Sequence, residues 1–339
     1  MVDQFDQAHC SIALIYMGGT FGCTGQPLTP LPAEVFLPRL QQLLQPDYPA
    51  LHCVVASQNI RDSSQLEPQD WLHLIQQIQA LVQQGFGKIL IVHGTDTMAY
   101  SAALLAEFIP AVMSQPVQLV LTGSQFPLLQ PDGQELNPQS DALHNLTMAY
   151  TQLTSSSVVA SSACWVAFDG QLWPAHTVQK IHTTNTPTFA ATHTAQLAPV
   201  SVIQPLNLHT LPSLNIAVYY ALPLSPETVA QQLQNLIVSS AQAIIILAFG
   251  AGNLPQHPAI EAALQQAQQA EVLVVVGTQV PYGGVNFHYA AGQWLARYGV
   301  LSAGHLSVAA VYARLASVLC QSLDFRQRQQ QWQACHHIL

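Results

Sequence analysis

Charged side chains are scarce in this chain of 339 residues. Asp, Glu, Lys and Arg make up 7% of it, whereas about 25% is usual in soluble proteins. Only 8 residues are Lys or Arg, and the formal net charge is −9. Such a chain cannot form the basic patch that follows a nucleic acid backbone or binds an anionic membrane surface. The composition therefore predicts neither nucleic acid nor membrane partners.

Long hydrophobic runs and paired cysteines are missing as well. The longest apolar runs, residues 243–249 and 272–276, fall far short of the roughly 20 residues that a membrane-spanning helix needs. The N-terminus lacks the basic segment and apolar run of a secretory signal, so we expect a cytoplasmic protein. Six scattered cysteines with no C-x-x-C pair predict free thiols, as is usual in a reducing compartment.

Motifs for nucleotides and metals are absent from the sequence. There is no G-x-x-x-x-G-K-[ST] loop, and the glycines of residues 18–22 lack the G-x-G-x-x-G spacing of a dinucleotide site. No H-E-x-x-H motif occurs, and Cys335, His336 and His337 are typical of a terminal tail rather than of a metal site. The sequence therefore predicts no cofactor and no metal.

The chain does contain a regular alternation of apolar strands and helical segments. Because the apolar runs are continuous rather than alternating, we expect them in a parallel sheet that is buried on both faces. The predicted fold class is α/β, with a doubly wound parallel-sheet N-terminal domain and a smaller α/β C-terminal domain. The predicted N-terminal strands are residues 12–17, 54–57, 89–92, 117–121 and 164–168.

A change of composition predicts the boundary between the domains. Between about residue 183 and residue 213, Pro, Thr, His and Asn accumulate and helical periodicity is lost. We predict an N-terminal domain over residues 1–190 that carries the catalytic motifs, a linker over 191–213 and a C-terminal domain over 214–339. The Gln-rich segment 327–333 is predicted to be a solvated helix face.

Residues with hydroxyl or carboxylate side chains follow four predicted strands, and in three of these segments they stand next to glycines. In an open parallel sheet, ligands bind outside the carboxyl ends of the strands, so these segments should meet at one edge. Each segment alone is as compatible with a tight turn or a helix cap as with a functional site. Their joint placement favours a single site. The segments are Gly18-Gly19-Thr20, Asp62-Ser63-Ser64, His93-Gly94-Thr95-Asp96-Thr97 and Thr122-Gly123-Ser124-Gln125.

Lysine occurs only twice, as Lys88 and Lys180. A threonine hydroxyl is a weak nucleophile until a neighbouring base removes its proton, and a lysine beside a carboxylate is one way to supply that base. Lys88 begins a predicted strand and is expected to be solvated. Lys180 is predicted in the loop after the fifth strand, on the side where the four segments meet, so it is the candidate base.

Together these segments resemble the motifs of the bacterial-type L-asparaginase family, and most closely those of its cytoplasmic type I branch. The resemblance extends over nearly the whole chain, and its most specific element is HGTDTM at residues 93–98. It implies an amidohydrolase that converts L-asparagine and water to L-aspartate and ammonia. The other matching elements are GGTFG at 18–22, DSS at 62–64, TGSQ at 122–125, VQK at 178–180 and FGAGN at 249–253.

The resemblance implies catalytic roles for four residues. Thr20 would be the nucleophile, and the acyl-enzyme that it forms would be opened by water. Thr95, Lys180 and Asp96 would form a second catalytic group in which the carboxylate holds the lysine. The Thr95 N–H would serve as an oxyanion donor.

Substrate-binding roles also follow from the resemblance. Asp96 would grip the α-amino group of the substrate, Ser63 its α-carboxylate, and the backbone oxygen of Ser124 would meet the leaving nitrogen. Asn253 lies in a loop that reaches a neighbouring subunit in the family, which implies a homodimer or homotetramer with sites near the subunit interface. The implied binding residues are Gly19, Asp62, Ser63, Ser64, Gly94, Ser124 and Asn253.

One feature departs from the family pattern. A tyrosine on the mobile lid contacts the nucleophilic threonine in the family, but residues 21–31, here called the lid segment, contain no tyrosine. Either Thr24 or Thr29 replaces it, or Thr20 is activated differently, through Lys180 and water.

Two other functions are compatible with the motifs. The first is a non-catalytic amino-acid sensor, which would not need Thr20, Thr95 and Lys180 together. The second is the asparaginase-like subunit of a tRNA-dependent amidotransferase, which would need an extra N-terminal domain and a basic surface. The residues favour the hydrolase.

Overall fold

The computed structural model of the protein describes residues 11–155, 161–191, 202–285 and 293–334. Contacts within the chain divide it into two units, Met1–Ala191 and Thr192–Leu339. Helices of the first unit are α1 (Ala33–Leu44), α2 (Pro68–Gln83), α3 (Met98–Val112) and α4 (Ala142–Ser155). Its strands are β1 (Ile12–Tyr16), β2 (Cys23–Thr24), β3 (Thr29–Pro30), β4 (Leu51–Ala56), β5 (Lys88–Val92), β6 (Gln118–Thr122), β7 (Ala163–Phe168), β8 (Gln171–Pro174), β9 (Val178–Lys180) and β10 (Phe189–Ala191).

A six-stranded sheet forms the centre of the first unit. Its order is β4-β1-β5-β6-β7-β8, and every neighbouring pair is parallel except β7 and β8. All residues of β1, β5 and β6 are buried. Burial of successive side chains requires cover on both faces of the sheet. The predicted α/β fold with a parallel N-terminal sheet is confirmed.

The order of the strands creates a crevice at one edge of this sheet. Along the chain the main strands follow β1, β4, β5, β6 and β7, but β1 lies between β4 and β5. The direction of winding therefore reverses between β1 and β5. In open α/β sheets, ligands bind at such a reversal, outside the carboxyl ends of the two strands. The residues that follow Tyr16 and Val92 occupy this position.

Short antiparallel strand pairs extend the first unit. The structure corrects the predictions for both lysines. Lys180 is the last residue of β9, which pairs with β10, whereas a loop was predicted there. Strands of three residues are too short to show a periodicity. Lys88 is 6% exposed, so the prediction of a solvated side chain is wrong. It begins a central strand and pairs on both sides, with Ile12 and Gln118.

The second unit contains a smaller, entirely parallel sheet of order β11-β12-β13-β14. This confirms the predicted α/β C-terminal domain. Its core includes all six residues of β12. The elements are β11 (Ile216–Tyr220), α5 (Pro226–Val238), β12 (Ala243–Ala248), α6 (Pro258–Gln269), β13 (Leu273–Thr278), β14 (Leu301–Ser302), α7 (Val308–Leu319) and α8 (Phe325–Ala334).

The predicted linker lies partly outside the described residues, at positions 192–201. The rest of the linker, residues 202–213, forms hydrogen bonds with the residues that follow α7. Asn207 N–H donates to the Cys320 carbonyl at 2.8 Å, and the N–H groups of Ile203 and Gln204 both donate to Gln321 Oε1 at 3.1 Å. Residues 208–213 then form a short 3₁₀ turn. These hydrogen bonds attach residues 203–213 to the second unit.

The Gln-rich segment forms α8 but is not a fully solvated face. Trp332 is 1% exposed, and its indole N–H donates to the Ser302 carbonyl at 2.8 Å. The predicted solvation is wrong at this residue and at the neighbouring Gln331, because the apolar area of the indole outweighs the polarity of the segment. Cys335, His336 and His337 lie outside the described residues.

Two further sequence predictions concern thiols and the membrane. Cys23, Cys53, Cys164 and Cys320 are free, as predicted. Cys10 and Cys335 lie outside the described residues. No helix within the described ranges is long and apolar enough to cross a bilayer.

We expect Trp332→Ala to lower the free energy of unfolding by about 3–5 kcal/mol, because a buried aromatic side chain is lost and a cavity remains. Urea denaturation followed by circular dichroism measures the change. Gln333→Ala, at an exposed position of the same helix, is the control and should change the value by less than about 0.5 kcal/mol. Equal values for the two variants would contradict the burial of Trp332.

Candidate active site

Thr20 lies directly after β1, in a tight turn built by glycines. Gly18 and Gly19 have φ angles of 102° and 81°, which favour glycine because it has no Cβ. Thr20 then begins a 3₁₀ turn that ends at Gly22. A Cβ at Gly19 would lie 2.5 Å from Gly94 Cα. Only a glycine therefore lets the turn that carries Thr20 approach the loop after β5.

Ser63 connects a second loop to the same place. Its hydroxyl oxygen accepts a hydrogen bond from the Asp96 N–H at 3.3 Å, and its carbonyl accepts one from Thr97 Oγ1 at 2.8 Å. A Cβ at Gly94 would lie 2.5 Å from Ser63 Oγ. Ser63 is 4% exposed. The loops after β1, β4 and β5 thus meet around Gly94 and bring Gly19 and Ser63 together.

Asp62 and Ser64 flank this serine. Asp62 Oδ1 accepts from the Ser64 hydroxyl at 2.7 Å and from the Ser64 N–H at 2.8 Å. These two hydrogen bonds lower the pKa of Asp62, and the charge of Lys180 lowers it further by a smaller amount. Asp62 is therefore an anion close enough to Lys180 for their charges to interact.

The Lys180 ammonium joins two of the predicted catalytic side chains. Its Nζ lies 2.9 Å from Thr95 Oγ1 and 2.7 Å from Asp96 Oδ1, and it donates a hydrogen bond to each. The Lys180 side chain is 20% exposed and that of Asp96 is 55% exposed. The lysine is thus enclosed while the carboxylate is open to solvent. A hydroxyl, an amine and a carboxylate stand here in direct contact.

The loop after β6 carries Ser124. It forms hydrogen bonds with Asp141, directly before α4, and with Asn145, in the first turn of α4. Asp141 accepts from the Gln125 and Phe126 N–H groups at 3.0 Å. Asn145 donates to Asp141 at 2.9 Å and to the Gly123 carbonyl at 3.0 Å. Ser124 is 2% exposed.

Sequence analysis missed Asp141 and Asn145. Asp141 directly precedes α4 and Asn145 lies in its first turn. The two are four positions apart, so their side chains share one face. That D-x-x-x-N spacing was a usable signal for a pair of positioning residues. What the sequence could not reveal is the loop to which they bind, since Gly123 lies 22 residues before Asn145.

The lid segment packs as a small hairpin of β2 and β3. Thr24 Oγ1 donates to the Pro131 carbonyl at 2.8 Å, and Thr29 Oγ1 to the Pro27 carbonyl at 3.2 Å. Both hydroxyls are thus engaged with main-chain carbonyls. Among the described residues, neither hydroxyl forms a hydrogen bond with Thr20.

A tyrosine hydroxyl nevertheless lies next to the turn of Thr20, at the end of β1. Tyr16 is fully buried at the end of β1, and its hydroxyl fills the space that a Cβ at Gly22 would need. No described residue forms a hydrogen bond with this hydroxyl. Burial raises the pKa of Tyr16 above its usual range, so the hydroxyl keeps its proton. Sequence analysis treated Tyr16 only as part of a strand.

Asn253 lies in the second unit, in the loop that follows β12. Its backbone exchanges two hydrogen bonds with Phe249, at 2.8 and 3.1 Å. Between them, Gly250 and Gly252 have φ angles of 48° and 100°. The FGAGN segment is therefore a tight loop that follows β12 and presents a half-buried Asn253.

Two family models match most of the chain. The model "Asparaginase, N-terminal" matches residues 11–211, and the model "Glutaminase/Asparaginase C-terminal domain" matches residues 216–331. The chain belongs to the asparaginase family. This confirms the family that the motifs indicated, and it assigns the two sheets to the two domains of asparaginases.

Individual asparaginases are similar along the full length of the chain. L-asparaginase 1 of Escherichia coli strain K12 is 29% identical over 330 residues, which make up 93% of this chain and 93% of that protein. The crystal structure of L-asparaginase I from Vibrio cholerae superimposes with a TM-score of 0.77 at 26% identity, covering 97% of each chain.

One relative is a component of an amidotransferase instead of an L-asparaginase. A component of the glutamyl-tRNA(Gln) amidotransferase of Methanobrevibacter smithii is 27% identical over 344 residues. The match covers 94% of this chain and 74% of that protein. The relatives of this chain therefore include an amidotransferase component as well as L-asparaginases.

Burial of His93 predicts a pH dependence of stability. His93 is 1% exposed, and burial lowers its pKa from 6.5 to about 4. The unfolded chain takes up this proton first as the pH falls. The stability that neutral His93 contributes is therefore complete above pH 6.5 and is lost between pH 6.5 and about 4. We expect His93→Asn to lose less stability over this range than the unmodified protein.

Urea unfolding at several pH values between 7 and 4 measures this difference. His52→Asn is the matched control, since His52 is exposed and should leave the pH dependence unchanged. Parallel curves for the unmodified protein and His93→Asn would show that His93 is not held neutral by burial.

Proposed function

We propose that this protein is an L-asparaginase that hydrolyses the side-chain amide of L-asparagine with Thr20 as nucleophile. The contact of Lys180 Nζ with Thr95 Oγ1 at 2.9 Å and with Asp96 Oδ1 at 2.7 Å carries the proposal. These groups can activate a weak oxygen nucleophile, and they lie beside the turn of Thr20. Membership of the asparaginase family and the similarity to E. coli L-asparaginase 1 support the same activity.

The proposed reaction has two displacements. In the first, Thr20 Oγ1 attacks the amide carbon, the C–N bond breaks, and the threonine proton leaves with the nitrogen as ammonia. An ester between Thr20 and the aspartyl group remains. In the second, water attacks the ester carbon, the bond to Thr20 breaks, and a water proton returns to Thr20. Water is the only co-reactant.

In this proposal, Lys180 moves protons through Thr95. Neutral Lys180 accepts the proton of the Thr95 hydroxyl, which in turn takes one from the attacking group. Asp96 stabilises the ammonium ion that results, because an opposite charge in contact favours the charged form of lysine. Activation of Thr20 by Lys180 and water needs no lid tyrosine. Thr24 and Thr29 would have to leave their present hydrogen bonds to take that role.

The α-groups of the substrate would bind to the loops after β4 and β5. Ser63 Oγ already accepts from the Asp96 N–H, so its own proton can be donated to the α-carboxylate. The exposed carboxylate of Asp96 and the anionic Asp62 suit an α-ammonium group. Gly19, Gly94, Ser64 and Ser124 would line this site. Asn253 would complete it from a neighbouring subunit of a homodimer or homotetramer.

The amidotransferase component remains a second candidate because of the relative from M. smithii. A tRNA-dependent enzyme needs positive charge to hold a nucleic acid, whereas this chain has 8 Lys and Arg and a net charge of −9. Binding of tRNA at physiological salt would favour this candidate. We propose instead a cytoplasmic enzyme that acts on a free small-molecule amide.

We expect the purified protein to release ammonia from L-asparagine and Thr20→Ala to lower kcat by about a thousandfold or more, because the nucleophile is lost. Thr20→Ser retains a hydroxyl at the same place and should keep measurable turnover. A coupled ammonia assay with L-asparagine, L-glutamine and D-asparagine measures activity and specificity together.

The outcomes separate the candidate functions. Binding of L-asparagine without ammonia release would contradict the hydrolase and favour the amino-acid sensor. Full activity of Thr20→Ala would show that another residue is the nucleophile.

The role of Lys180 as a base predicts the pH dependence of turnover. Activity should rise from acid towards mildly alkaline pH, because a base acts only after it has lost its proton. Lys180→Arg keeps the positive charge and the donors but cannot lose a proton in this range. We therefore expect Lys180→Arg and Lys180→Gln to lower kcat alike, by about 10²–10⁴.

Rate profiles of the three proteins between pH 5 and pH 9 test this role. Recovery of activity in Lys180→Arg alone would assign the lysine to charge stabilisation instead of proton transfer. A flat profile of the unmodified protein would exclude the lysine base.

A further inference from the structure

A chain of buried hydrogen bonds runs from α2 to the loop after β5. The indole N–H of Trp71 lies 2.8 Å from Ser101 Oγ, and Ser101 Oγ lies 2.8 Å from His93 Nε2. His93 Nδ1 lies 2.7 Å from the Gly94 carbonyl oxygen. Trp71, Ser101 and His93 are 6%, 0% and 1% exposed. None of the three has a role in the proposed reaction.

The direction of each bond follows from the chemistry of the groups. The Gly94 carbonyl only accepts, so His93 Nδ1 must carry the proton and donate it. The buried imidazole is neutral, because burial lowers its pKa to about 4. Its Nε2 is therefore an acceptor, and the Ser101 hydroxyl donates to it. The Trp71 indole, which can only donate, then supplies the bond to the Ser101 oxygen. This series of hydrogen bonds thus selects a single tautomer of His93.

The bond to Gly94 also fixes the orientation of a peptide group. The carbonyl of Gly94 and the N–H of Thr95 belong to one planar trans peptide and point in opposite directions. Because the carbonyl is held towards the buried imidazole, the Thr95 N–H points away from it. No described residue accepts a hydrogen bond from this N–H. The same Thr95 carries the hydroxyl that Lys180 contacts.

We propose that His93 is a positioning residue, which holds the Gly94–Thr95 peptide so that the Thr95 N–H faces the substrate and stabilises the oxyanion of the tetrahedral intermediate. Ser101 and Trp71 act through His93 by fixing its tautomer. This inference rests on the proposed hydrolysis. It assigns a function to the first residue of the HGTDTM segment, whose side chain faces the core instead of the site.

Two substitutions at His93 separate this role from a general effect on packing. The side-chain nitrogen of Asn lies about where Nδ1 of histidine lies, and that of Gln about where Nε2 lies. His93→Asn therefore keeps a donor for the Gly94 carbonyl, whereas His93→Gln keeps only a group that faces Ser101. Both variants lose the ring and should lose stability alike.

We expect His93→Gln to lower kcat for L-asparagine about 30- to 100-fold with KM changed less than about threefold, because an oxyanion donor acts only in the transition state. His93→Asn should keep kcat within about fivefold. Equal losses in both variants, or a loss confined to KM, would overturn the proposal. Ser317→Ala, which removes a buried hydroxyl from α7, is the control and should leave kcat unchanged.

The tautomer is tested without reference to activity. In protein labelled with ¹⁵N-histidine, the nitrogen that carries the proton resonates well upfield of the other, and His93→Asn identifies the resonance. We expect the Nδ1–H form in the unmodified protein and a shift towards Nε2–H in Ser101→Ala.

An Nε2–H form in the unmodified protein would overturn the inference. If the unmodified protein released no ammonia, the proposed function would fail and the catalytic part of the inference with it. The tautomer measurement would still decide whether His93 orients the Gly94–Thr95 peptide.

Discussion

The backbones of Gly19 and Gly94 approach each other so closely that a Cβ at position 19 would lie 2.5 Å from Gly94 Cα. All other features of the candidate site depend on this approach. It occurs where the winding of the sheet reverses, so the loops after β1 and β5 have no helix between them. Thr20 and Thr95 each follow one of the two glycines. Any larger side chain would separate the two hydroxyls, whatever groups surrounded them.

Much of this site could be predicted because its components are local in sequence. Continuous apolar strands indicated a parallel sheet, and a parallel sheet brings the residues after its strands to one edge. The remaining features depend on contacts between distant segments. Lys180 reaches Thr95 from a three-residue antiparallel strand that has no periodicity of its own. Likewise, a run of glutamines does not reveal that Trp332 is buried in the core, where its indole N–H donates to the carbonyl of the distant Ser302.

The scarcity of charge gives the few ionised groups a large influence. Lys180 contacts Asp96 directly and also affects the pKa of Asp62. In a chain with 7% charged residues, few other ions compete with these three. Hydroxyls and amides hold most of the loops, as where Ser63 is fixed through Thr97 and the Asp96 N–H, and the carboxylate of Asp141 holds the loop after β6. Most of the framework of the candidate site is thus built from hydroxyls and amides, and Lys180, Asp96 and Asp62 bring ionised groups together there.

The hydrogen bond from Thr24 to the Pro131 carbonyl has a mechanical consequence. The two stretches of chain are joined a second time, because the Leu128 N–H donates to the carbonyl of Phe21, next to Thr20, at 3.0 Å. The lid segment and residues 128–131 therefore form one body with two attachment points. Movement of the lid segment requires either that both segments move together or that both hydrogen bonds break. The position of the lid segment is thus held by a loop that follows β6, far along the chain from the segment itself.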